Sequence, residues 1–235
     1  LLALLALGLA VARTRQAVRR EREQVDLLNR TVAERTAQLE LANRQLQQSN
    51  VQLDAANRLD PLTHVANRRE LQDWLTRESG RVVERLAGGG TETLLFFMLD
   101  IDAFKRVNDG HGHQAGDEVL VQFSERIRDT VQRFGGGATL SRFGGDEFVI
   151  LLEGDERAGH LRETASLLAG VLVEELARPI MVRGRPVHLG ISVGITLFPD
   201  DASGATSLMK NGDIAMYQAK VAGKNCYRFY SRAMD

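Results

Sequence analysis

The sequence predicts an α/β domain of about 170 residues carried behind a long helix. Three observations predict it. Residues 13–59 hold no Gly and no Pro, whereas all the prolines and every glycine except Gly8 lie outside that stretch and beyond it. Past Asp60, apolar runs alternate with amphipathic ones. Two of the short apolar runs flank Gly144-Gly145-Asp146-Glu147, which gives at least one antiparallel pair.

Composition narrows the function. With 43% hydrophobic and 26% charged residues, the chain can bury a sizeable core. Thirty Lys+Arg against 31 Asp+Glu leave a net charge of -1, so no basic excess argues for nucleic acid as a partner. Any anionic ligand must be met by local charge or by metal. One cysteine, Cys226, cannot form an internal disulfide and suits a reducing compartment.

Residues 1–12 are apolar apart from Gly8, too short for the ~20 residues of a membrane span. Arg13, Arg15, Arg19, Arg20 and Arg22 follow, a bias that marks the cytoplasmic side. The chain starts on Leu, so the expectation is a piece of a longer protein. Its first residues would be the end of a transmembrane helix, anchoring a cytoplasmic domain at the inner membrane. A signal-peptide core and a buried helix are the competing explanations.

Over 13–59, Val25, Val32, Leu39, Leu46 and Leu53 recur every seven residues. If they occupy d, the a positions are Asn29, Thr36, Asn43, Asn50 and Asn57; if a, the d positions are Leu28, Arg35, Ala42, Ser49 and Ala56. Either frame predicts a parallel coiled-coil homodimer with one good layer and one weak layer, a rod of roughly 70 Å. A solvated helix packed on its own domain is the alternative.

Asp60-Pro61 breaks this helix, with Asp60 expected as an N-cap. Helices are expected over 67–86, 116–131, 161–176 and 207–221. Strands are expected over 93–101, 139–143, 148–152, within 186–198, and over 226–230.

Four constellations carry chemistry. Asp100 and Asp102 end the strongest strand on one face, where a divalent cation of the Mg²⁺ type would offset their burial. On their own they are better read as ordinary strand-end acids in solvent. Gly144 and Gly145 let a ligand approach, and Asp146 and Glu147 follow where the chain re-enters the sheet. If this hairpin lies beside the first strand, Asp100 and Asp146 can share metal, with the Ile101 carbonyl as a further ligand. The turn at Ala103-Phe104-Lys105 offers backbone N–H groups and a charge to an anion. Asn108 and Asp117 are then available to read a base: a carboxylate accepts from guanine N1–H and the exocyclic amine, and adenine leaves it unpaired. A plain turn at 108–110 explains these residues equally well. Lys220 and Lys224 stand four apart at a helix end, where lysines also serve the helix dipole. His111 and His113 lack further ligands for a metal.

Taken together, DPLTHVANRR (60–69), DIDAFKRVNDGHGHQAGD (100–117), GGDEF (144–148) and AMYQAKVAGKN (215–225) resemble the GGDEF family, the diguanylate cyclases, in the family's order. The resemblance covers 60–230 and implies a catalytic domain over 60–235. The fold would be similar to the nucleotidyl-cyclase and polymerase-palm domain, with a mostly antiparallel five-stranded central sheet. The reaction would join two GTP into cyclic di-GMP with release of two pyrophosphates across a dimer. Asp100, the Ile101 carbonyl and Asp146 would hold two Mg²⁺ (Mn²⁺ being the alternative ion), assisted by Glu147. Asp146 would also be the candidate base. Gly144 and Gly145 would lie against the nucleotide. Asn108 and Asp117 would bind guanine beside Leu62, and Phe104, Lys105, Lys220 and Lys224 would hold the phosphates.

The sequence departs from the family pattern in three places. Gly135 and Ala138 stand where an Arg-x-x-Asp product-inhibition site would be, so no feedback through it is expected. His64 replaces the usual glycine after Leu-Thr. Lys224 replaces the common Arg, losing bidentate geometry while keeping charge. The alternative function is a catalytically silent GTP-binding and dimerisation module, one whose partner, including a phosphodiesterase domain, would follow Asp235.

Overall fold

The computed structural model describes residues 32–47, 49, 58–134, 137–155 and 161–234. The chain divides into two units, Leu1–Ala56 and Asn57–Asp235. In the first, residues 32–47 are helical and exposed throughout, with Val32, Leu39 and Leu46 among the exposed apolar side chains. The apolar segment 1–12 and the heptad positions Val25 and Leu53 lie outside the described residues. Among the described residues no helix is long and apolar enough to cross a membrane.

The second unit is built on β1 (Glu92–Asp102), the expected strand buried on both faces. β1 pairs antiparallel with β3 (Glu147–Asp155) on one side and β6 (Gly190–Phe198) on the other. β2 (Thr139–Gly144) extends the sheet beyond β3, and β7 (Cys226–Phe229) runs parallel to β6. The order β2-β3-β1-β6-β7 is the mostly antiparallel five-stranded sheet of the expected fold.

Alternation along β1 divides the core. Leu95, Phe97, Leu99 and Ile101 pack with α3 (His113–Arg133) and α4 (Leu161–Leu176). Leu94, Phe96 and Met98 face the opposite layer, with α1 (Arg68–Ala87) and α5 (Ala205–Val221). Each large side chain buried this way contributes roughly 1.5–3 kcal/mol relative to exposure. Asp100 and Asp102 continue the second set, so they emerge on the α1/α5 side. α5 lies directly on β6: a Cβ at Gly194 would come within 2.2 Å of the Gly212 carbonyl oxygen, and one at Gly212 within 2.5 Å of the Phe96 ring. Backbone meets backbone there, and this seats the C-terminal end of α5 above the end of β1.

Three expectations are corrected. The segment expected as a turn after β1 is a helix, α2 (Phe104–His111). Its turn-forming Asn108-Asp109-Gly110 is overridden by burial of Phe104 and Val107. Asp60 caps no helix: its Oδ1 accepts from the backbone N–H groups of Leu62 and Thr63 at 3.2 and 2.8 Å, closing a turn, while Asn67 caps α1 by accepting from the Glu70 N–H at 3.0 Å. A second sheet also forms, from β4 (Ile180–Val182) and β5 (Arg185–Val187), too short to be seen in the hydrophobic pattern.

Candidate active site

The carboxylates meet at one end of the sheet. Asp100 stands opposite Glu147 on β3 and Ser192 on β6. The Ile101 N–H donates to the Asp146 carbonyl at 3.2 Å, which draws the turn of the β2–β3 hairpin onto β1. Asp100 is 8% exposed, and Lys220 Nζ on α5 lies 2.7 Å from its Oδ2.

Burial pushes Asp100 above the usual carboxylate range; the Lys220 hydrogen bond and charge oppose the shift, and Asp146 and Asp102 add to it. Burial likewise pushes Glu147 up, followed by the charges of Asp100, Asp213 and Asp146, with Lys220 opposing. Crowded acids at a strand end suit a hard cation in their oxygen chemistry. Among the described residues no three His, Cys, Asp or Glu side chains are arranged to enclose an ion.

A second set of contacts holds the hairpin. Arg142 on β2 lies 3.0 Å from Asp60 and donates through NH2 to the Gly145 carbonyl at 2.7 Å. Gly145 itself takes φ 53, the left-handed turn that glycine makes without strain. The main chain of Arg142 also donates to Ala66 at 2.8 Å. The segment entering the domain is thereby tied to the turn that carries Asp146.

The proposed base-binding residues are brought together by α2 and α3. A Cβ on Gly116 would lie 2.0 Å from Asn108 Oδ1, so Asn108 rests on the bare backbone just before Asp117. Asp117 is exposed, and Leu62 is partly buried against the core that includes Phe104 and Val107. Phe104 is 8% exposed and belongs to that core, at the start of α2. Lys105 is exposed beside it.

At the other side, Lys220 closes α5 and Lys224 is exposed on the turn that follows. Lys224 and Asn225 take φ 64 and 44. Asp213 and Arg142 carry no role in the sequence reading, and Asp102 enters it only as the strand-end acid beside Asp100. Asp213 lies two helical turns before Lys220, a spacing that places both on one face; their charges reach Glu147 only in the fold, a pairing that no sequence spacing signals.

The family profile described as "Diguanylate cyclase, GGDEF domain" matches residues 57–226. The chain belongs to the GGDEF family. A signalling protein of Caulobacter vibrioides is 40% identical over 178 residues, 75% of this chain and 20% of that protein. The bifunctional diguanylate cyclase/cyclic di-GMP phosphodiesterase MucR of Pseudomonas aeruginosa is 38% identical over 176 residues, 75% of this chain and 24% of its own length. The chain thus spans about a fifth to a quarter of these relatives. The crystallised GGDEF domain of TpbB (YfiN) from Pseudomonas aeruginosa superposes with a TM-score of 0.66 at 31% identity, covering 75% of this chain and 96% of that one.

Within this GGDEF domain the departures can be located. His64 takes φ 55, the left-handed conformation that makes glycine the common choice, and its N–H donates to the Asp60 carbonyl at 2.9 Å. Ala138 packs partly against the core, and Gly135 lies outside the described residues.

Proposed function

We propose that the domain joins two GTP into cyclic di-GMP. The 3′-hydroxyl of one nucleotide attacks the α-phosphorus of the other, the α–β P–O bond breaks, and pyrophosphate leaves; the second, reciprocal attack closes the ring. The observation that carries this is the meeting of Asp100, Asp146 and Glu147 from two strands with Lys220 above them.

Asp100, the Ile101 carbonyl, Asp146 and Glu147 would hold Mg²⁺, which supplies charge neutralisation at the phosphates when bound. Asp146, on the hairpin turn, would accept the proton of the attacking hydroxyl. Glu147, raised in proton affinity, stands across the strand pair from Asp100. Lys105, Lys220, Lys224 and the α2 main chain at Phe104 would bind the triphosphate as negative charge grows on the leaving pyrophosphate. Gly144 and Gly145 leave the hairpin turn open to the nucleotide. Asn108 and Asp117 would read guanine, with Leu62 as the wall of that site. Each domain holds one GTP, so turnover needs two copies facing each other. The exposed Val32, Leu39 and Leu46 support a helical stalk that pairs two chains and raises their encounter.

The alternative is a silent GTP-binding module, which would keep the same residues without turnover. Incubation with GTP and Mg²⁺ and identification of the product separates the two. Cyclic di-GMP supports the cyclase, and intact GTP bound with measurable affinity overturns it in favour of the silent module.

A further inference from the structure

Asp102 is 7% exposed, and its two hydrogen bonds join the strand beside it to the turn after α5. Its Oδ1 accepts from Ser192 Oγ on β6 at 2.7 Å, and its Oδ2 accepts from the backbone N–H of Asn225 at 2.8 Å. Asn225 ends a turn in which Gly223, Lys224 and Asn225 take φ 118, 64 and 44 in succession. A run of left-handed residues is unfavourable, above all at a lysine, and persists only where the surroundings impose it. Two further contacts fix this one. The Lys224 N–H donates to the Ala219 carbonyl at 3.1 Å, and the Asn225 side chain lies on Gly190, where a Cβ would come within 2.7 Å of Asn225 Oδ1. Asp102 is the charged member of this clamp and joins it to the strand that bears Asp100.

We infer that Asp102 is a positioning residue: its buried carboxylate fixes the turn at 223–225 so that Lys224, with Lys220 one turn earlier, faces the phosphates of the nucleotide. The inference deepens the GTP-binding part of the function proposed above and rests on it. In this role Asp102, with its two oxygens held by Ser192 and Asn225, would touch neither the nucleotide nor the reacting atoms. It acts through backbone that only a hydrogen-bond acceptor at this position can hold.

The test is binding without turnover, using a GTP analogue with a methylene group between its α- and β-phosphorus atoms, and GMP as the reference. Asp102→Ala is expected to weaken the analogue about tenfold, the loss of roughly one charged phosphate contact, while GMP binding stays unchanged. Lys224→Ala should cost a similar factor, and the Asp102→Ala/Lys224→Ala double variant no more than either alone. Asp102→Asn keeps an oxygen for the Asn225 amide, and the Ser192 hydroxyl can turn to accept, so affinity should return to within about threefold of wild type. Equal weakening of analogue and GMP, or losses that multiply in the double variant, overturns the inference. If Asp102→Ala does not fold, Ser192→Ala removes one of the two hydrogen bonds and should show a smaller loss, about threefold, confined to the analogue; an equal loss for both ligands, or none, overturns it too. Product formation from GTP by the wild type is measured separately, so failure of the cyclase proposal and failure of this one give different results.

Discussion

Arg142 and Asp60, 82 positions apart in sequence, form an ion pair at 3.0 Å in which both side chains are largely shielded from solvent. The same guanidinium binds the Gly145 carbonyl, so the point where the chain enters the domain and the turn before Asp146 share one side chain. Burial alone would push Asp60 up, but the Thr63 amide and hydroxyl and then Arg142 outweigh it and hold the carboxyl below its ordinary value.

Asp60→Asn should therefore lower stability at pH 7 by about 1–2 kcal/mol, the cost of a partly buried charged hydrogen-bond set. A depressed carboxyl pKa contributes stability above the unfolded value and loses it as pH falls through the folded value. Urea unfolding of both proteins should show the gap at neutral pH, and it should close below the ordinary Asp value of 3.8. A gap that does not change with pH would contradict this account.

Glu147 behaves with the opposite sign. Its raised proton affinity means the folded state holds that proton more tightly, so stability declines as pH rises through the window above the ordinary value of 4.5. Glu147→Gln should raise the melting temperature at pH 7 and leave it near wild type below about pH 4. Cyclic di-GMP formation should fall on the order of 10²-fold in the same variant. The site is stabilised by losing the charge its proposed chemistry needs.

Gly116 separates base binding from folding. Alanine is the better helix former, yet its Cβ would meet Asn108 Oδ1 at 2.0 Å. The Asn108 side chain is flexible and moves aside, while the Phe104 ring, at 3.1 Å from the same Cβ, must give only a few tenths of an ångström. Gly116→Ala should keep its melting temperature within a few degrees of wild type while KM for GTP rises about tenfold, as one misplaced hydrogen bond would cause.

Added cyclic di-GMP should leave the initial rate unchanged, since Gly135 and Ala138 offer neither cation nor carboxylate. A product that lowers the rate at micromolar concentration would place an inhibitory site elsewhere on the domain.

β1, the β2–β3 hairpin, α4 and α5 could be seen in the chain because each announces itself locally: an apolar run too continuous for a half-exposed strand, a pair of glycines before two acids, and helical periodicity between turns. α2 could not. Its local residues favour a turn, and only the burial of Phe104 and Val107 makes it a helix. Phe104 accordingly belongs to the core. The grouping of Asp100 with Asp146 and Glu147 was expected from alternation and the hairpin. The division of labour between Asp100 and Asp102 was not, because it depends on which of Lys220, Ser192 and Asn225 each carboxylate meets. Arg142 was in view beside the glycines, but its partner Asp60 lies too far along the chain for spacing to pair them.

The seat of α5 on β6 has a consequence for how such a protein can fail. The reach from Lys220 to Asp100 is fixed by two absent methyl groups, at 194 and 212. A side chain at either place would lift the helix and carry the ammonium away from the carboxylate, with every charged residue of the domain still in its motif. An inventory of acids and bases would pass that protein as competent, while the fault would lie in a spacer of less than one carbon atom's width.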